Sequence, residues 1–202
     1  MKALIINQFG GPEQLRIQET SIPSVRSGEV LVRIHAAGVN PVDYKIRNGS
    51  VKFISGKKFP RILGGDIAGT VEQADKKSKF RPGDKVYAML SSKGGGYAEF
   101  VAVDEKQLCH IPENLDMTAA AGVPLASLTA LQAFLKKGSN LTGDRVLING
   151  ASGGVGSFAV QIARAMGAYV TGVCSSRNTE FVKNLGADQV IDYTKDDFTK
   201  LK

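Results

Sequence analysis

Residues 145–156 read RVLINGASGGVG, a short apolar run followed by glycines at 150, 153, 154 and 156 and then by an amphipathic stretch. A pyrophosphate is held by backbone N–H groups at close range and by the positive end of a helix dipole, and side chains obstruct that approach. The spacing is Ala151-x-Gly153-x-x-Gly156, with alanine where the usual G-x-G-x-x-G fingerprint opens on glycine. Ser152, Gly154 and Val155 complete the candidate loop. A turn with no ligand would use the same residue types. The apolar strand before this one, the helix after it and the surrounding strand–helix–strand unit favour a dinucleotide. A second cluster, Ser175-Ser176-Arg177, follows the apolar YVTGVC, with no acidic residue before Glu180. NAD sites place an acid near here for the ribose 2′-hydroxyl, whereas a 2′-phosphate is repelled by carboxylates and bound by hydroxyls and guanidinium groups. These residues favour NADPH over NADH. Ser176 and Asn178 also suit the start of the next helix, and a serine can do both. Tyr193 is placed to reach the same phosphate or the adenosine.

The elements that must carry these residues fall into two patterns. Up to about residue 112 the chain reads as short strands (KALIINQF, QLRIQET, EVLVRIHAAGV, GDIAGTVEQA, DKVYAML, YAEFVAV) separated by Gly/Pro turns. Val30, Val32 and Ile34 alternate with Leu31, Arg33 and His35, the pattern of a half-buried strand in a β-rich barrel or sandwich. From Met117 an Ala/Leu-rich helical stretch runs to Gly138, interrupted at Pro124. RVLING then predicts a strand, and the next segment a helix burying Val155, Ala159, Ile162, Ala163 and Met166 and ending at Gly167. YVTGVC, NTEFVKNLG and DQVIDY continue as strand, helix and strand, which implies right-handed crossovers and a parallel sheet. The expected fold class is α/β, with domains at 1–123 and 124–202.

Composition narrows the partners. The excess of 26 basic over 19 acidic side chains gives +7, but the lysines are scattered in pairs such as Lys57-Lys58, Lys76-Lys77 and Lys136-Lys137, without interleaved aromatics. A solvated surface accounts for them better than nucleic-acid binding. No apolar run approaches the roughly 18 residues of a membrane span, and the N-terminus reads as a strand, not a signal peptide. Cys109 and Cys174 are too few for a disulfide framework or a four-ligand zinc site, and both are expected to be small buried thiols in a reducing cytoplasm. His35 and His110 lack a paired carboxylate pattern and read as core or surface residues.

Taken together, GEVLVRIHAAGVNPVDYKIRNG, FPRILGGDIAGTV, FRPGDKVYA, GGYAEFVAV, PLASLTALQAF, NGASGGVG and LGADQVIDY resemble the medium-chain dehydrogenase/reductase superfamily, in its zinc-independent quinone oxidoreductase and enone reductase branch. The resemblance covers essentially the whole chain. It implies an N-terminal GroES-like catalytic domain, then a Rossmann domain, with substrate and nicotinamide in the cleft between them. Zinc alcohol dehydrogenases of the superfamily have a cysteine where this chain has Asn40, and a His-Glu pair at Gly65-Asp66; the cysteine-rich structural-zinc lobe is also missing after Ser91. No metal is expected. The resemblance places Asn40 and Lys45 near nicotinamide and substrate, where an amide and an ammonium suit an enolate, and Thr129 near the nicotinamide. Lys45 or solvent would relay a proton. Asp43 more plausibly orients the segment than acts as a base, and for Tyr44 packing is at least as good a role as catalysis.

The superfamily pattern continues through three more Rossmann strands, so the chain reads as truncated after Lys202, with the nicotinamide side lacking one wall. A homo-oligomer or a completing chain is then the expected partner. The alternative to a quinone or enone reductase is a non-catalytic nucleotide-binding or interaction protein.

Overall fold

The computed structural model describes residues 1–90, 94–136, 138 and 140–200. The passage from Ser91 into the next strand therefore lies partly outside the described residues, as does Lys137. The chain divides into two units, Met1–Leu125 and Ala126–Lys202.

In the first unit, β1 (Lys2–Ile6) sits between β2 (Arg16–Glu19) and β3 (Arg61–Ile62) in a small antiparallel sheet. A five-stranded antiparallel sheet is built from β4 (Glu29–Gly38), β5 (Asp66–Gln73), β6 (Lys85–Met89), β7 (Phe100–Asp104) and β8 (Leu108–His110), in the order β7-β4-β5-β6-β8. It curls around Val30, Val32, Ile67, Phe80, Val86 and Leu108, forming the half-barrel expected of a GroES-like domain. Two short helices, α1 (Pro41–Arg47) and α2 (Lys52–Ser55), leave the end of β4, and α3 (Met117–Ala121) packs on β4 and β5.

Burial along β4 departs from alternation at one residue. Leu31 is buried along with Val30 and Val32, where the pairing with β5 shifts register between Leu31 and Val32. The extra residue of this bulge is Glu72 on β5, so β4 keeps its alternation and Leu31 is buried on the face opposite Val30 and Val32, outside their cluster. Cys109 is also a correction: its thiol is exposed. In β8 the inward position belongs to Leu108, and the next residue along a strand points to the opposite face. Cys174 is buried as expected.

In the second unit, α4 (Pro124–Leu135, its first two residues belonging to the first unit) is followed by β9 (Arg145–Asn149), α5 (Gly154–Ala165), β10 (Tyr169–Cys174), α6 (Thr179–Asn184) and β11 (Gln189–Asp192). Pro124 is the first residue of α4, where its missing N–H costs nothing. The three strands are parallel in the order β11-β10-β9, the beginning of a Rossmann sheet. Ile148, Val160, Ala163, Val170 and Val182 form its core with Ala130 and Leu141.

The buried face of α5 is Gly156, Ala159, Val160 and Ala163; Val155, expected inside, is 43% exposed. Gly156 sets this rotation. A Cβ on it would lie 2.1 Å from the Gly150 carbonyl oxygen and 2.9 Å from Ala151 Cα, so the helix approaches the preceding turn through Gly156 and turns Val155 outward. Gly150, at φ 73°, makes the reversal that brings the chain there. Gly156→Ala must therefore push α5 off the turn. We expect a loss of about 2 to 3 kcal/mol in urea unfolding, at the upper end for overpacking.

Candidate active site and dinucleotide turn

The first-unit site is organised by two buried carboxylates at the mouth of the half-barrel. Asn40 ends β4's exit in extended conformation and caps α1, Pro41 pre-sets the helical turn, and Asp43 folds back on the cap. The Asn40 N–H donates to Asp43 Oδ2 at 2.8 Å, and the Tyr97 hydroxyl donates to the same oxygen at 2.9 Å. Asn40 Nδ2 donates to Asp66 Oδ2 at 2.9 Å, and the Leu125 N–H reaches both Asp66 oxygens at 3.0 and 3.2 Å. Tyr97, Asp43, Asn40, Asp66 and the first turn of α4 thus form one continuous chain of hydrogen bonds. Burial pushes the Asp66 carboxyl above its ordinary value, outweighing the Asn40 and Leu125 donors that favour its charge. Burial, with Asp43 beside it, raises the Tyr97 hydroxyl as well, so it stays protonated and a donor.

A cavity of about 280 Å³ opens beside this network. Val42 and Ile46 of α1, Leu63 and Met89 give it an apolar wall, and Asp43 and Arg61 are its charged lining groups. Arg61 Nη2 donates to the Ser55 carbonyl at 2.7 Å, while its buried Nη1 has no partner among the described residues. A second, wider groove of about 670 Å³ follows the other side of α1 past Tyr44 and Arg47. Of the candidates at α1, Asp43 borders both spaces and binds the Asn40 N–H; half-buried Asn40 borders neither, and neither does Lys45, which is exposed.

In the second unit, Gly153 caps α5 in extended conformation, and the N–H groups of the first helical turn have no partner within the helix. Gly153, Gly154 and Val155 are exposed there, and no atom stands within 4 Å of where a Gly154 Cβ would lie. Ala151 is fully buried and needs no left-handed backbone, because Gly150 has already made the reversal. This explains how the fingerprint tolerates alanine there. Asn178 Nδ2 bridges the loops by donating to Ser152 Oγ at 3.0 Å and Ser175 Oγ at 3.4 Å. Ser176 does not stand free. Its hydroxyl is tied to Asp192 at the end of β11 and lies 3.0 Å from Thr194 Oγ1. Arg177 and Tyr193 are exposed nearby in sequence, and Thr129 lies exposed on α4. Asn178 thus joins Ser152 to Ser175, and Asp192 separately holds Ser176; the sequence leaves both Asn178 and Asp192 without a binding role. Tyr97 and Arg61 were also missed; their spacing from Asn40 in sequence carries no periodic signal.

Family models place these features. Residues 26–113 match the alcohol dehydrogenase GroES-like domain, and residues 154–201 match the zinc-binding dehydrogenase family. A chloroplast envelope quinone oxidoreductase homolog of Arabidopsis thaliana is 42% identical over 210 residues, covering 100% of this chain and 64% of that protein. The chain belongs to the medium-chain dehydrogenase/reductase superfamily. Within it, the quinone oxidoreductase of Coxiella burnetii superposes with a TM-score of 0.86 at 37% identity, over 98% of this chain and 64% of the other. The quinone oxidoreductase of Thermus thermophilus, solved also in complex with NADPH, gives a TM-score of 0.83 at 33% identity, over 96% and 61%. The chain therefore spans a little under two thirds of the length of these superfamily members.

The buried carboxylate gives a pH signature. Asp66's folded pKa lies above its unfolded one, so the stability tied to its neutral form is complete below about pH 4 and is lost as pH rises through the folded value. Asp66→Asn cannot ionise. Urea unfolding across a pH series should show wild type losing stability relative to this variant as pH climbs from about 4; parallel curves would refute the assignment.

Proposed function

We propose that this chain is the catalytic and adenosine-binding part of an NADPH-dependent oxidoreductase that reduces quinones or α,β-unsaturated carbonyls without zinc. The observation that carries the reading is the turn at Gly150–Gly156. It offers an open helix N-terminus for a pyrophosphate at the end of a strand, in a chain whose other unit holds an apolar cavity lined by Asp43, the carboxylate that binds the Asn40 N–H. The quinone oxidoreductase relatives and the NADPH bound by the Thermus protein support the same reading.

The dinucleotide, when bound, supplies a hydride. The rest falls to the chain. The first turn of α5 would offer N–H groups to the pyrophosphate; Arg177 and Tyr193 are assigned to the adenosine end, and the family resemblance assigns Thr129 to the nicotinamide. The apolar wall of Val42, Ile46, Leu63 and Met89 orients a small carbonyl compound and excludes water. Asn40 commits one amide hydrogen to Asp66 and keeps the second for an oxygen that gains negative charge. Asp43 positions Asn40 by binding its N–H. Lys45, being exposed, serves as a proton relay to solvent.

The residues do not fit a catalytic zinc ion. Asn40 and Gly65 offer neither thiolate nor imidazole, and both oxygens of Asp66 already accept from Leu125 or Asn40. No step is assigned to a metal. No described helix is long and apolar enough to cross a membrane. The cytoplasm is the proposed location and a homo-oligomer the proposed assembly.

The reading is tested by NADPH oxidation with a panel of quinones and enones, using this chain and a form lengthened to the span of its relatives. We expect turnover that chelators leave intact. Asn40→Ala should lower kcat/KM by about 10- to 100-fold, the effect of losing one donor to developing charge, with NADPH affinity kept. NADPH binding without turnover in the lengthened form would replace the enzyme by a nucleotide-binding protein.

A further inference from the structure

Arg61 is a half-buried cation for which the chain supplies no anion. It opens β3, where it pairs with Ile6 of β1, and its side chain lines the apolar cavity beside α1. Its Nη2 donates to the Ser55 carbonyl at the end of α2, and its Cζ lies 6.0 Å from the centre of the Phe59 ring. Nη1 is buried and meets no acceptor among the described residues, and the guanidinium forms no ion pair among them. A guanidinium is always charged and carries its N–H donors in a planar fork. A buried donor without an acceptor is costly, and an unmatched charge more so. Asp43, the other charged group of the lining, is differently placed. Its Oδ2 already accepts from the Asn40 N–H and the Tyr97 hydroxyl. The charge left unmatched in the cavity is therefore positive.

We propose that Arg61 makes this site select small α,β-unsaturated carbonyl compounds that carry a carboxylate at the end remote from the alkene. The inference rests on the reductase reading above and deepens it by naming the substrate class. A carboxylate presents two acceptor oxygens that match the guanidinium fork, so it can take Nη1 with a neighbouring N–H while Nη2 keeps one hydrogen on Ser55. It also brings the negative charge that a neutral quinone or ketone oxygen does not. Val42, Ile46, Leu63 and Met89 suit the carbon chain between the two ends, and their low polarity strengthens a charge-assisted contact. The volume of about 280 Å³ lies just under the roughly 300 Å³ at which sites for drug-sized ligands begin, so the acid is short. Nη1 is covered in the present arrangement. The guanidinium therefore turns to meet the anion, a motion open to a long side chain with many rotamers. The carboxylate takes no part in the reduction and acts through binding.

The test is calorimetry on the whole chain with 6-oxoheptanoate and 6-oxoheptanamide, which are alike in size, differ in charge and contain no alkene to reduce. Wild type should bind the acid about tenfold to a hundredfold more tightly, the worth of one charge-assisted contact. Arg61→Met keeps an apolar stem without the charge and should bring the ratio to about one. Equal affinities in wild type, or no measurable binding of the acid, would overturn the proposal. So would an Arg61→Met protein, folded by circular dichroism, in which the preference survives or both probes weaken by the same factor. If that variant does not fold, Arg61→Lys decides, since an ammonium keeps the charge without the fork. A preference that stays above one there supports the proposal, and a ratio of one overturns it. Turnover is read separately, with NADPH, the lengthened form and the enones 6-oxohept-4-enoate and 6-oxohept-4-enamide. The acid should show the lower KM at an equal kcat. Equal KM values would remove only the inference. Acid-selective binding of the saturated probes without turnover of either enone would remove the reductase reading, and the substrate class with it, leaving Arg61 an anion site.

Discussion

The second unit depends on one close approach, between the first turn of α5 and the carbonyl of Gly150. Everything assigned to the dinucleotide follows from it. The helix meets the turn through a residue with no side chain, so its N-terminus lies at the end of β9 instead of being held away by a methyl group. The same contact rotates α5, sends Ala159, Val160 and Ala163 into the sheet, and leaves Val155 facing out beside the open loop. A packing constraint and the proposed binding surface are here two faces of the same atoms.

The first unit has a comparable centre of a different kind. Asp43 and Asp66 are buried acids that would be costly alone, and each is compensated by donors from separate parts of the chain. Helix α1, the start of β5 at Asp66, the segment bearing Tyr97 and the start of α4 are fixed against one another by those donors. Asn40 belongs to this framework before it belongs to any reaction. Its orientation is determined at both its backbone and its amide, which is the condition for a group that must meet a developing charge without reorganising.

Much of this was legible from the chain. Strand–helix–strand succession, the break at Pro124 and the glycine turn follow from local periodicity and glycine placement, and the structure carries them at nearly the same positions. What local pattern could not supply was decided by non-local contact. Val155 and Ala159 look equivalent on a helical wheel; Gly156 against Gly150 separates them. Cys109 sits in an apolar context, yet an edge strand one residue out of phase exposes it. Leu31 is buried on the face that the alternation assigns to the outside. The sequence reading of Ser175-Ser176-Arg177 counted donors without asking who else might claim them, and the answer lay on the next strand, 16 residues away. Tyr97 stands 54 residues from Asp43, a separation at which no motif speaks.

Gly172 in the middle of β10 has a longer reach than its size suggests. A Cβ placed there would fall 2.6 Å from Val182 Cγ1 and 3.1 Å from the Ala151 Cβ. Three residues from three elements therefore share one fixed volume, and the alanine that opens the fingerprint occupies part of it. In a lineage drifting under mutation, these positions are not free to wander separately. A methyl gained at 172 has to be surrendered at 182 and eased at 151, so the space open to the unusual first residue of the turn is set by a glycine on the neighbouring strand.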